Sequence, residues 1–86
     1  MQNKIVSYMA NKDINRIKVV LVDKKKTNKW LAEQLGKDQT TISKWCTNTS
    51  QPDLESLMKI SQLLGVEISE LVRFEHINED KINKEE

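Results

Sequence analysis

Gly36 and Asp38, two residues apart, break the chain between two apolar patterns, and this break limits what the rest can fold into. Glycine readily takes the positive φ that a chain leaving a helix often needs. Aspartate is a good N-cap, and its charge suits the positive end of a following helix. Upstream, Leu31, Ala32 and Leu35 share one helical face, and Thr27 offers a hydroxyl cap to a helix over 28–35. Downstream, at about 100° per residue, Ile42 and Trp45 point one way, flanked by Thr41 and Cys46. The expectation is two short helices meeting at a corner, the second over 39–47, with Ala32 small where they approach.

The second helix keeps its other face free of apolar residues. Gln39, Thr40, Ser43, Lys44 and Thr47 lie there; all can hydrogen-bond and only Lys44 is charged. Short amide and hydroxyl side chains are mediocre helix formers. A face selected only for solubility would more often carry Glu and Lys pairs. The same groups suit contact with base edges and phosphates in a DNA major groove. The net charge of +1 hides a division that fits this chemistry. Residues 1–52 hold ten Lys/Arg against four Asp/Glu, whereas residues 53–86 hold four against nine. A molecule polarised in this way approaches an anionic surface one way round.

The remaining pattern is helical throughout. Ile14, Ile17, Val20 and Leu21 predict a helix over 13–24, closed by the cations Lys24, Lys25 and Lys26. After a turn-forming stretch at 48–52, Asp53 caps a helix over 54–64 with Leu54, Leu57, Ile60, Leu63 and Leu64 on its apolar face, and Gly65 ends it. A short fifth helix is expected over 68–73. Glycine is scarce, the single Pro52 sits at a boundary, and no alternating strand pattern occurs. The expected fold is all-α, a compact bundle of about five short helices over residues 13–73. Residues 1–12 form an arm or extra segment, and residues 74–86 a charged tail. No apolar run approaches the roughly 18 residues that span a bilayer, and no signal peptide is visible. One cysteine makes no internal disulfide, so a cytoplasmic setting is expected.

These elements resemble the Cro and lambda-repressor type of helix-turn-helix, the Xre family. The likeness rests on LAEQLG at 31–36, on TISKW at 41–45, and on PDLESLMKISQLLGVEISELV at 52–72. It implies a lambda repressor-like DNA-binding domain whose recognition helix covers 39–47. By family pattern Gln39, Thr40 and Lys44 contact bases, with Ser43 next in line. Gln39 can pair with adenine and Lys44 can reach guanine or a phosphate. Asn28 matches a position that often holds a phosphate-binding Gln, and Asn48 and Thr49 match a backbone-contacting loop. Here the chain departs from the pattern, because Cys46-Thr47-Asn48 stands where many members have Glu and then Asn-Gly. Thr47 belongs with the phosphate set, and Lys29 and Lys37 are further phosphate partners or solvated charges.

Trp45 is expected in the core. Trp30 projects away from the Leu31 and Leu35 face, and the N-terminal segment is expected to cover it through Val6, Tyr8 or Met9; otherwise its indole would lie along the DNA backbone. Chemistry of other kinds has little support. One His (His76) and one Cys make no zinc site of the usual spacing and no cofactor or metal is implied. No Gly-rich phosphate loop or Ser-His-Asp set is present, so no catalytic residue is expected. The expected function is a sequence-specific, double-stranded-DNA-binding transcriptional regulator, a repressor acting as a homodimer on paired half-sites. Leu71, Val72 and Phe74 serve either the dimer contact or the monomer core. An antitoxin or restriction–modification controller would use the same DNA surface plus a protein partner such as a toxin. A helical protein-interaction module without DNA binding is the reading from another class.

Overall fold

The structure, a computed structural model, describes residues 13–74. The expectations for the segment 1–12, including its cover over Trp30, and for residues 75–86 lie outside the described residues. Among the described residues four helices follow one another: α1 (Ile17–Asp23), α2 (Asn28–Leu35), α3 (Gln39–Cys46) and α4 (Leu54–Leu64). A single 3-10 turn, Ile68–Leu71, completes the order.

Three of the helices begin on the side chains that the sequence marks. Thr27 accepts the Trp30 amide at 3.0 Å, Asp38 accepts the Thr41 amide at 2.9 Å, and Asp53 accepts the Ser56 amide at 3.2 Å. Each satisfies one of the early amides that a helix leaves without a partner. Gly36 and Gly65 follow α2 and α4 at φ 68° and 67°, where a Cβ would be strained. The next amides, Lys37 and Val66, then bond back to Ala32 and Ser61 carbonyls at 3.0 and 3.1 Å.

α1 differs from the expectation of a helix over 13–24. It starts four residues later, because the chain before it pairs with the end of the domain. Asn15 and Val72 form an isolated antiparallel bridge. The Arg16 amide donates to the Leu71 carbonyl at 2.9 Å, and the Arg73 amide donates to the Ile14 carbonyl at 2.8 Å. The Asn15 side chain then accepts the Ile17 amide at 2.9 Å and starts the helix. The same pairing stops the last turn at Leu71, so the expected helix over 68–73 is shorter and tighter.

The core gathers one face from every element: Ile17, Val20 and Leu21 of α1, Leu31 and Ala32 of α2, Ile42, Trp45 and Cys46 of α3, Ile60 and Leu64 of α4, and Leu71. Burying one Ile or Leu side chain contributes about 1.5–3 kcal/mol. Trp30, Leu35, Leu57 and Val66 pack against this cluster from its edge. Trp30 is half-buried, and Lys26 Nζ stands 4.8 Å from the centre of its ring. That ammonium and the core share the covering of the indole. Leu71 is wholly buried, which removes it from the residues available for a dimer contact. Val72 is half-buried and Phe74 is exposed.

Candidate nucleic-acid interface

α2 and α3 pack closely across the Gly36 corner, and this fixes which face of α3 is free. Ile42, Trp45 and Cys46 go into the core, so the helical period turns Gln39, Thr40, Ser43, Lys44 and Thr47 outward, and all five are exposed. The strip is therefore a consequence of the core residues. At its start the Thr41 amide bond holds the Asp38 carboxyl below the usual carboxylate range. A fixed negative charge at this point opposes a phosphate there. A base amino group or a side-chain amide can approach it.

Asn28, the first residue of α2, reaches the same surface. Its Nδ2 donates to Ser43 Oγ at 3.4 Å, and its Oδ1 accepts from Cys46 Sγ at 3.3 Å. Lys29, next to Asn28, and Lys37, just before α3, are both exposed. Burial pushes the Cys46 thiol above its ordinary range, so it stays an S–H donor at neutral pH.

The segment after α3 is arranged differently from the expectation that Thr47, Asn48 and Thr49 meet phosphates. Asn48 takes the left-handed region at φ 61°, filling the place that glycine takes after α2 and α4. Asn tolerates this region better than most side chains. Its own amide donates to the Trp45 carbonyl at 3.0 Å, and the Thr49 amide donates to the Lys44 carbonyl at 2.8 Å. The Asn48 side chain is buried. Its Oδ1 accepts from the Ile14 and Asn15 amides at 2.9 Å each and from Gln51 Nε2 at 3.1 Å. Its Nδ2 donates to Asp13 Oδ1 at 3.0 Å and to the Asn15 carbonyl at 3.1 Å. A phosphate accepts hydrogen bonds and donates none, and Asn48 has no donor left to offer. Thr47 Oγ1 lies 3.1 Å from the Ser43 carbonyl and 2.8 Å from Thr49 Oγ1, so these two hydroxyls bond within the loop as well.

Reading from the sequence missed the partners of Asn48. Asn15 Nδ2 donates to the Trp45 carbonyl at 2.8 Å and to Gln51 Oε1 at 2.7 Å, and Arg73 Nε stands 3.4 Å from Asp13 Oδ1. These residues hold the end of α3 against the start of α1. The one local signal was Asn48 itself, placed just past a helix where a positive φ is needed. Among the described residues no three His, Cys, Asp or Glu side chains could hold a metal ion, and no helix is long and apolar enough to cross a membrane.

Comparison with known proteins gives the same assignment. The helix-turn-helix family profile matches residues 17–71. The HTH-type transcriptional activator BcrR of Enterococcus faecalis is 43% identical over 51 residues, 59% of this chain. That match spans only 25% of BcrR, so most of that protein has no counterpart in the aligned segment. The crystal structure of a candidate DNA-binding protein from Bacteroides fragilis superimposes with a TM-score of 0.69 at 55% identity, over 70% of this chain and 97% of that one.

Proposed function

We propose that this chain, which belongs to the helix-turn-helix family of DNA-binding transcriptional regulators, reads duplex DNA sequence-specifically with α3 and acts as a homodimeric repressor. The observation that carries this reading is the exposed strip of Gln39, Thr40, Ser43 and Lys44 on α3. Gln39 and Thr40 open the helix and are the residues for base edges, with Ser43 beside them. Lys44 serves a guanine or a phosphate. Asn28, Lys29 and Lys37 flank the strip and are assigned to the sugar–phosphate backbone, which sets register rather than sequence. Asn48 is given a positioning role instead, and Thr47 and Thr49 take a phosphate only by trading bonds within their loop.

Repression follows from occupancy, because a bound dimer covers a stretch of duplex. Two copies related by a two-fold axis would address half-sites about one helical turn apart. Ile14, Ile68, Val72, Arg73 and the exposed Phe74 line a mostly apolar groove, which is the contact assigned to the second copy. The name of the Enterococcus relative favours a second reading, activation. In both readings the domain itself does the same thing, and only the position of the operator differs.

Selection from a pool of random duplexes, followed by gel shift at rising salt, tests the proposal. A consensus with two-fold symmetry is expected, with a logarithmic salt slope of about −0.9 for each phosphate neutralised. Recovery of no consensus, together with no salt dependence, removes DNA reading. A reporter carrying the selected site then separates repression from activation.

A further inference from the structure

Resting on the DNA-reading assignment, we propose that Cys46 is a positioning residue for DNA binding: its thiol sets which way round the Asn28 amide faces the duplex. Asn28 carries a donor and an acceptor of nearly equal shape on one carbon. Either could be turned toward a phosphate, and only the amino group attracts one. The flip is decided by what lies on the other side. Cys46 is buried at the last position of α3, and its Sγ stands 3.3 Å from Asn28 Oδ1. A thiol donates here, and with Oδ1 held on the inner side, Nδ2 must face outward. There it already reaches Ser43 Oγ at 3.4 Å, on the strip assigned to DNA. Its second hydrogen remains for a phosphate. The reverse orientation would take the acceptor away from the thiol hydrogen, leave sulfur as only a weak acceptor for the amide N–H groups, and turn a carbonyl oxygen toward an anion.

The burial that keeps the sulfur protonated also keeps the donor in place across neutral pH. The helix corner supplies the geometry. Asn28 begins α2 and Cys46 ends α3, so one weak bond spans the whole width of the two-helix unit. The departure from the family's usual residues at 46–48 therefore has a mechanical consequence at Asn28, eighteen positions away.

The test is a double-mutant cycle on the full chain, read by fluorescence anisotropy against the selected duplex and against an unrelated duplex at low salt. Cys46→Ala is expected to weaken binding to both duplexes alike by about three- to tenfold, the worth of one neutral hydrogen bond. Circular dichroism melts check that the variant is folded. Cys46→Ser, which keeps a donor, is expected to stay within about twofold of the parent. In an Asn28→Ala background, Cys46→Ala should change nothing further. Full additivity of the two substitutions would overturn the proposal, and so would parent-like affinity in a folded Cys46→Ala chain or a serine variant that behaves as alanine does. Failure of the parent chain to bind any duplex would overturn the DNA-reading assignment itself, a different result from a broken cycle.

Discussion

Asn48 combines two properties that few side chains share: it adopts φ 61° and satisfies five polar partners from a buried position. The two can be separated by substitution. Asn48→Gly keeps the backbone conformation and leaves the Ile14 and Asn15 amides without an acceptor, which should lower stability by roughly 1–3 kcal/mol. Asn48→Ala adds left-handed strain of about 1 kcal/mol to that loss. Urea unfolding of the pair measures both, and a glycine variant as stable as the parent would show that the amide network contributes nothing. On the strip proposed to read DNA, Gln39→Ala should relax preference at one base pair by about 1–3 kcal/mol, while Asn28→Ala should weaken all duplexes nearly equally. Competition titrations with single-base operator variants distinguish these, and identical profiles for the two substitutions would refute the division of roles. At this scale the sequence was only partly legible. The outward residues of α3 could be placed because helical period alone decides them. The fate of Asn48 could not, since its partners lie 33–35 positions away and no local pattern announces them.

Elements were legible where their ends are local. The bounds of α2 and α4 coincide with those expected, because Thr27, Asp53, Gly36 and Gly65 act within one turn of themselves. α1 was expected too long, because Asp13 to Arg16 read as helix until paired with a segment far along the chain. Its other end carries a cost. Lys25 sits at φ 60° after α1, in a region that costs a lysine about 1–2 kcal/mol. Lys25→Gly should relieve that strain at some loss of chain entropy and stabilise the fold by about 0.5–1 kcal/mol, read as a higher urea midpoint. A lowered midpoint would mean that the lysine makes a compensating contact. The caps give a pH dependence of known sign. Bonds from Ser56 lower the Asp53 carboxyl, as the Thr41 bond lowers that of Asp38. Folding therefore gains from both anions above the ordinary value of 3.8 and loses that gain as pH falls through the lower folded values. The double variant Asp38→Asn, Asp53→Asn keeps capping amides and should show a flatter acid limb in thermal melts between pH 5 and 2. An unchanged limb would assign acid sensitivity to other carboxylates.

At the scale of the whole molecule, charge and exposed apolar surface point to different partners. The basic half of the sequence contains α1 to α3, while Phe74, 56% exposed, lies beside the Asn15–Val72 pairing. Phe74→Asp should convert a dimer to a monomer in sedimentation velocity and weaken operator binding far more than binding to an isolated half-site. An unchanged sedimentation coefficient would move the dimer contact elsewhere, with the exposed Leu54 and Met58 of α4 the next surface to examine.

The short clasp between residues 14–16 and 71–73 also sets how the domain responds to tension. Both flanking directions of the chain leave from the same end of this antiparallel pair, so a pull between them peels the pair open from that end. The Arg73–Ile14 bond is loaded together with the bonds from Asn48 to Asp13, Ile14 and Asn15, and the Arg16–Leu71 bond follows. Only after these have parted does force arrive at Ile17 of α1. The clasp therefore opens as a zipper from that end, and because Asn48 anchors it, the first tension is felt where α3 ends.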